Sequence, residues 1–350
     1  MGRATELLYR LDAALQDVAD GAFRRVPAPY GFSRLAPLRA AVASEILARR
    51  AADVAATHAR FVAAGGALDS DGGRAVVRLA GELLAEMRAT VVARSGARLL
   101  GAVAHLDSRL PTDRIEHVDD PTYEESRRTA AIVALDRLNR ALGSYVRFLE
   151  ALEPLLGEGT TTVLDVGSGH GGFALSLARL ARRRGRRLRV IASDLRPEYV
   201  DIGRRSAAAR GDKDVEFRVI DAFRLGDSLR PGEVDVITCT QTLHHFGAGL
   251  TAVLLAEAMR HARRGILFVD TARTLANLVA VGTAATVGSR DRSHFEDGTV
   301  SIRKSFVPEE LWLLARCVPG GDALEAYFLP PGHAVLRSRV SARSAPGCAR

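Results

Sequence analysis

Apolar residues recur at three- and four-residue intervals through roughly the first 110 positions. Leu7, Leu8, Leu11, Leu15 and Val18 form one such series, Leu38, Val42, Ile46 and Leu47 a second, and Val76, Val77, Leu79, Leu83 and Leu84 a third. This spacing lines one face of an α-helix in each stretch. Breaks are predicted at Pro27-Ala28-Pro29, Gly65-Gly66 and Gly72-Gly73, where proline and glycine punctuate separate helices. The region carries no catalytic motif and reads as a bundle that packs on the next domain or on a second copy of the chain.

His117-Val118-Asp119-Asp120-Pro121 reads as a linker into a helix start, with Asp120 as cap and Pro121 at the first helical position. One long amphipathic helix is predicted from Thr122 to about Leu155, with Gly143 its weak point. From Thr161 the pattern changes. Short apolar runs (TVLDVG, LRVIASD, VEFRVID, VDVITCT and GILFVD) alternate with helical stretches, as in a parallel α/β sheet. The predicted fold is therefore α/β, a Rossmann-like sheet with helices on both faces, preceded by an all-α region. The domains are expected at residues 1–118 and 119–345. In open sheets of this kind ligands gather at the carboxyl ends of the strands.

Composition narrows the setting. The 350 residues are 47% apolar, enough for a full core. No apolar run reaches the roughly 18 residues that cross a bilayer, and the first residues lack the apolar segment of a secretory signal. A cytoplasmic protein without a membrane partner is expected. The cysteines Cys239, Cys317 and Cys348 are far apart, and no cluster of histidines and carboxylates is read as a metal site, so no metal is predicted. The net charge of +8 raises nucleic acid as a partner, but the arginines are dispersed among acids. The one dense run, Arg182 to Arg189, falls at a predicted helix end, where cations suit the helix dipole. Nucleic acid is therefore not favoured.

The strand–loop–helix from Val163 to Gly172 carries the most specific chemistry. Gly167, Gly169 and Gly172 satisfy the dinucleotide pattern GxGxxG. Charge argues against a dinucleotide, because Asp165 beside the loop would repel a pyrophosphate. An acid there suits a ligand bearing a sulfonium and an ammonium. Asp194 ends the second strand, where it can accept both ribose hydroxyls, and Asp221 ends the third, where it and Phe223 can meet an adenine.

DVGSGHGG, SDLRP, IDAF and DVITCTQTLHHF together resemble class I S-adenosylmethionine-dependent methyltransferases over about residues 120 to 340. LDRLNRALGSY (135–145) and FEDGTVSIRKSFVPEEL (295–311) are more closely similar to bacterial small-molecule methyltransferases of secondary metabolism. The resemblance implies S-adenosyl-L-methionine as cofactor, bound by Asp165, Gly167, Ser168, Gly169, Gly171, Asp194, Leu195, Asp221, Ala222, Phe223, Thr240 and Gln241. The fifth strand departs from the usual Asn or Asp followed by Leu and a basic residue; here it reads Asp270-Thr271-Ala272-Arg273.

Methyl transfer is an in-line displacement that depends on alignment, helped by a base when the acceptor is a hydroxyl. His244 and His245 follow the fourth strand, and His245 is the favoured base with His244 its alternative. Asp270, Arg273 and His294 are expected to orient the substrate, with Val281 to Asp297 as a substrate lid. Arg303 and Lys304 at its end are placed to meet an acidic group. The expected function is O- or C-methylation of a phenolic or polyketide-like small molecule, with the helical region as dimer surface or substrate cover. The rival readings are a nucleic-acid methyltransferase and a non-catalytic partner protein that keeps the fold. Against the first, the fourth strand is followed by neither Asn/Asp-Pro-Pro-aromatic nor Pro-Cys.

Overall fold

The computed structural model describes residues 35–339, apart from 97, 98, 121 and 289–291; the side chains of 209, 210, 282–288 and 292–295 also lie outside the description. The predicted first helix, the break at Pro27-Ala28-Pro29, Pro121 and Cys348 therefore fall outside it.

Four helices open the described chain: α1 (Ala36–Arg49), α2 (Ala51–Ala63), α3 (Asp71–Arg94) and α4 (Leu99–Ser108). Gly65 and Gly66, both at φ 72°, end the α2 segment as expected. Gly72 and Gly73 do not break a helix. They form the first turn of α3, where the Ser70 hydroxyl accepts from the Gly73 amide. A Cβ on Gly72 would sit 2.5 Å from the Phe61 Cα, so glycine here serves close approach of α2 and α3.

The predicted long helix is two helices, α5 (Glu125–Ala141) and α6 (Ser144–Leu152), separated by Gly143 at φ 65°. Its start is also later than expected: Asp120 accepts from the amide and hydroxyl of Thr122 in a local turn, and the helix begins at Glu125.

The five predicted strands are β1 (Thr161–Val166), β2 (Leu188–Asp194), β3 (Val215–Val219), β4 (Val234–Thr240) and β5 (Ala262–Thr271). They alternate with α7 (Gly172–Arg183), α8 (Pro197–Arg210) and α9 (Ala248–His261). After β5 come α10 (Leu275–Gly288), α11 (Arg292–Lys304) and α12 (Pro308–Ala315), then β6 (Leu324–Leu329) and β7 (His333–Ser338). The sheet order is 3-2-1-4-5-7-6, with β7 antiparallel to both β5 and β6. The segment expected to be a substrate lid, Val281 to Asp297, is largely helical, made of the second part of α10 and the first part of α11.

Side-chain alternation along the strands divides the core in two. Val163, Val190, Val236 and Leu267 face a cluster with Phe148, Phe173 and Leu177 from α6 and α7. Their neighbours Leu164, Ile191, Ile237 and Phe268 face the other cluster, which joins α9 and α12 to Val42, Ile46, Leu79 and Leu83 of the opening helices. The N-terminal helices and the sheet thus share one apolar core. Among the described residues, no helix is long and apolar enough to cross a membrane.

Candidate active site

The strand order reverses between β1 and its two neighbours β2 and β4, the place where an open α/β sheet leaves a crevice at its carboxyl edge. The glycine loop lies there. Gly167, Gly169 and Gly171 adopt φ of 63°, 56° and 79°, conformations that side chains resist. A Cβ at Gly167 would meet Thr242 Cγ2 at 2.6 Å, whereas one at Gly169 would meet only Ile132 Cγ2 at 3.9 Å. The loop is packed from beneath and open at Gly169.

Asp165 lies under this loop. It is fully buried, accepting from the Ser168 hydroxyl at 2.6 Å and the Thr238 hydroxyl at 2.7 Å. Burial raises its pKa to about 7, assisted by the charge of Asp194 and opposed by the two hydroxyl donors. Asp165, expected to face a cationic ligand, braces the loop from beneath, each oxygen accepting from one of these hydroxyls.

Asp194, at the end of β2, reaches the loop itself. Its oxygens accept from the Gly169 amide at 2.8 Å and the Arg196 amide at 3.0 Å, and burial raises its pKa. Leu195 beside it is exposed, while Ala222 and Phe223 are half-buried next to Asp221, which accepts from the Phe223 amide at 2.9 Å. Carboxylates flanked by uncovered apolar surface suit a ribose and a flat base.

The end of β4 carries Thr240 and then Gln241, whose φ of 55° makes it the single non-glycine residue at positive φ among those described. Its side chain pairs reciprocally with Asn139 of α5, the Gln241 Nε2 donating to Asn139 Oδ1 at 2.9 Å and the Asn139 amide donating back. This pair ties α5 to the sheet edge beside the glycine loop.

The next residues turn the histidine pair into the space beyond β4. His244 is buried; its amide donates to Asp270, and its Nδ1 lies 2.9 and 3.0 Å from the two Asp270 oxygens. Burial opposes charge on this ring, but the Asp270 carboxylate outweighs it and raises the pKa to about 9. His245 is half-buried, with Nδ1 2.8 Å from Asp119 Oδ2. The two rings stand 4.3 Å apart.

Glu116, 2% exposed, faces both rings at 3.9 Å and accepts from the Ser301 hydroxyl at 2.6 Å and Lys304 Nζ at 3.2 Å. Lys304 does meet an acidic group, one belonging to the protein. Glu116 and Asp119 were missed in sequence because Asp119 stands in the segment read as a linker and Glu116 just before it. Its density of acids beside His117 was the only signal.

Two expected substrate contacts are corrected. Asp270 is turned inward to hold His244, and Arg273 is 1% exposed, its guanidinium bound to Glu310 at 2.7 and 2.9 Å and to the Ser305 carbonyl at 2.9 Å. Both are too deeply buried to face a ligand as they stand. The side chain of His294 lies outside the described residues.

A protein-family model for a methyltransferase domain matches residues 163–265, the span from β1 into β5 that contains the glycine loop and the acidic strand ends. Residues 163–265 are a methyltransferase domain. With the strand order 3-2-1-4-5-7-6, the methyltransferase domain has the class I fold.

Distant likenesses exist among solved structures. The chain is similar to a SAM-dependent methyltransferase from Aquifex aeolicus at 17% identity and TM-score 0.42, over 61% of this chain and 98% of that one. It is similar to the plantazolicin methyltransferase BamL at 11% identity and TM-score 0.45, over 61% and 91%. A third likeness is to the mitomycin 7-O-methyltransferase MmcR, at 18% identity and TM-score 0.42, over 73% and 67%. No curated protein sequence matches the chain.

Proposed function

We propose that the chain transfers a methyl group from S-adenosylmethionine to an oxygen or carbon of a small-molecule acceptor of phenolic or polyketide-like character. The observation that carries this reading is the set of acids at successive strand ends, Asp194 and Asp221, around a glycine loop open at Gly169. The residues fit the cofactor. Asp194 receives the ribose hydroxyls, Asp221 and Phe223 the adenine, and Leu195 and Ala222 cover its faces, while Gly167, Ser168, Gly169, Gly171, Thr240 and Gln241 line the rest. Asp165 keeps the loop in shape.

When bound, S-adenosylmethionine supplies an electrophilic methyl on a positively charged sulfur. The protein's part is to align the acceptor, which by proximity alone lowers the barrier by roughly 7–11 kcal/mol in favourable cases. On the acceptor side stand His245 and His244. Asp119 holds His245 through Nδ1, which leaves Nε2 to take the proton of a hydroxyl acceptor; Asp270 holds His244 behind it. Held by Asp194, Asp221 and Phe223, the cofactor would supply the methyl group and keep on its sulfur the electron pair of the bond given up. Residues 119–345 carry this chemistry, and the helices before them serve as cover or as a dimer surface.

Calorimetric titration of the whole chain with S-adenosylhomocysteine and with NAD tests the reading. Micromolar binding of the former, lost in Asp194→Ala, is expected. Binding of NAD without S-adenosylhomocysteine would sink it.

A further inference from the structure

Beyond that reading, we infer that Glu116, His244 and His245 form a mononuclear site for a divalent transition-metal ion of the zinc type. A carboxylate oxygen of Glu116 and one ring nitrogen of each histidine all lie within 4.8 Å of one another. Glu116 approaches His244 Nε2 and His245 Nδ1 at 3.9 Å each. Zinc–nitrogen and zinc–oxygen bonds of about 2.0–2.2 Å place tetrahedral ligands roughly 3.3–3.5 Å apart. Closing the cluster on an ion thus needs no two donors to approach by more than about 1.3–1.5 Å. Asp119 Oδ2, 2.8 Å from His245 Nδ1, stands beside the cluster and adds to its negative charge.

Three further observations point to an ion rather than to a chance meeting of polar groups. The Nδ1 of His244 is engaged by buried Asp270, which leaves Nε2 as the ligating atom turned to Glu116; a carboxylate behind a ligating imidazole is how metal sites fix ring orientation and raise ligand basicity. Glu116 is itself oriented, by the Ser301 hydroxyl. Formal charge supplies the third. Three carboxylates, Glu116, Asp119 and Asp270, converge here against a single ammonium, Lys304, 3.2 Å from Glu116 and 3.8 Å from Asp119. With both imidazoles neutral, a divalent ion brings that sum to zero. Two imidazoles and carboxylates are a donor set that suits zinc, cobalt, nickel or ferrous iron better than calcium or magnesium.

Metal binding does not depend on the methyltransferase reading; its consequence does. A hydroxyl acceptor coordinated to the ion would give up its proton to solvent, and His245 would then serve as ligand rather than as base.

Titration of the metal-free full chain with Co²⁺, followed by visible absorption, tests this. One ion per chain with d–d bands of a low-coordinate site is expected. Affinity should fall roughly 100-fold in Glu116→Gln and in His245→Ala, and about 10–100-fold in Asp270→Asn, which removes the charge behind His244. Lys304→Met, which removes the competing ammonium, should tighten binding. Circular dichroism checks that each variant is folded, and the Lys304 variant gives a gain that misfolding cannot mimic. Absence of saturable binding, or affinities unchanged across the folded variants, would overturn the site. S-adenosylhomocysteine binding to the metal-free chain is measured in parallel: its presence without cobalt bands leaves the methyltransferase reading standing and the metal site refuted, and the converse pattern does the opposite.

Discussion

Arg273 and Glu310 illustrate how a charged residue near an active-site edge can belong to the core. Both are almost completely buried and paired through two hydrogen bonds, with Arg88 of α3 adding a third at 2.7 Å. Removing one partner strands the other without water, so Arg273→Leu is expected to lower unfolding free energy by about 3–5 kcal/mol in urea titrations. The pair also sets an acid limit. Burial alone would raise the Glu310 pKa, but Arg273 and Arg88 outweigh it and hold the carboxyl well below its ordinary 4.5. Because the folded pKa is the lower one, the stabilisation is complete above pH 4.5 and drains away as pH falls further. Melting temperatures measured from about pH 6 downward should therefore drop less steeply in Glu310→Gln than in wild type, from a lower starting point. A parallel slope would show that other carboxylates govern acid unfolding. Neither partner's burial was legible in sequence, since the two meet only when α12 docks beside the end of β5.

At the scale of elements, β1, β2, β4 and β5 could be read because their apolar runs are largely buried on both faces and bounded by glycine or acids, whereas β3 is an edge strand with Glu216 and Val219 exposed. β6 and β7 escaped, although Ala326 to Leu329 and Ala334 to Leu336 are short apolar runs. The glycine loop and the acids at β2 and β3 were legible as local patterns. The Glu116, Asp119 and Asn139 contributions were not, because each is brought to the sheet edge by packing between distant segments. Glycine was ambiguous for a related reason. Gly143 and Gly72 look alike in sequence, yet one supplies a left-handed turn between helices and the other a gap for a backbone. Gly72→Val should cost about 1–3 kcal/mol through forced separation of α2 and α3. Thermal unfolding checks this, with Gly81→Ala as a control, since nothing lies within 4 Å of a Cβ there.

For the molecule as a whole, one cluster of buried side chains runs from Val42 and Ile46 through Leu79 and Leu83 to Ile237 and Phe268. A chain cut to residues 119–350 would expose that sheet face and the apolar side of α9 and α12, so it is expected to aggregate or remain partly folded. A monodisperse fragment with a sharp melting transition would instead make the catalytic half autonomous. Arginine dominates the surface but is largely answered locally, as with Arg182 to Asp214, Arg184 to Glu153 and Arg189 to Glu216. The amide pair of Asn139 and Gln241 has a last consequence, for descent rather than for chemistry. Each amide completes the other, and Gln241 holds a backbone conformation that few side chains accept. A lineage that changes one position is under pressure to change the other, so positions 139 and 241 should co-vary among orthologues although they lie far apart in the chain.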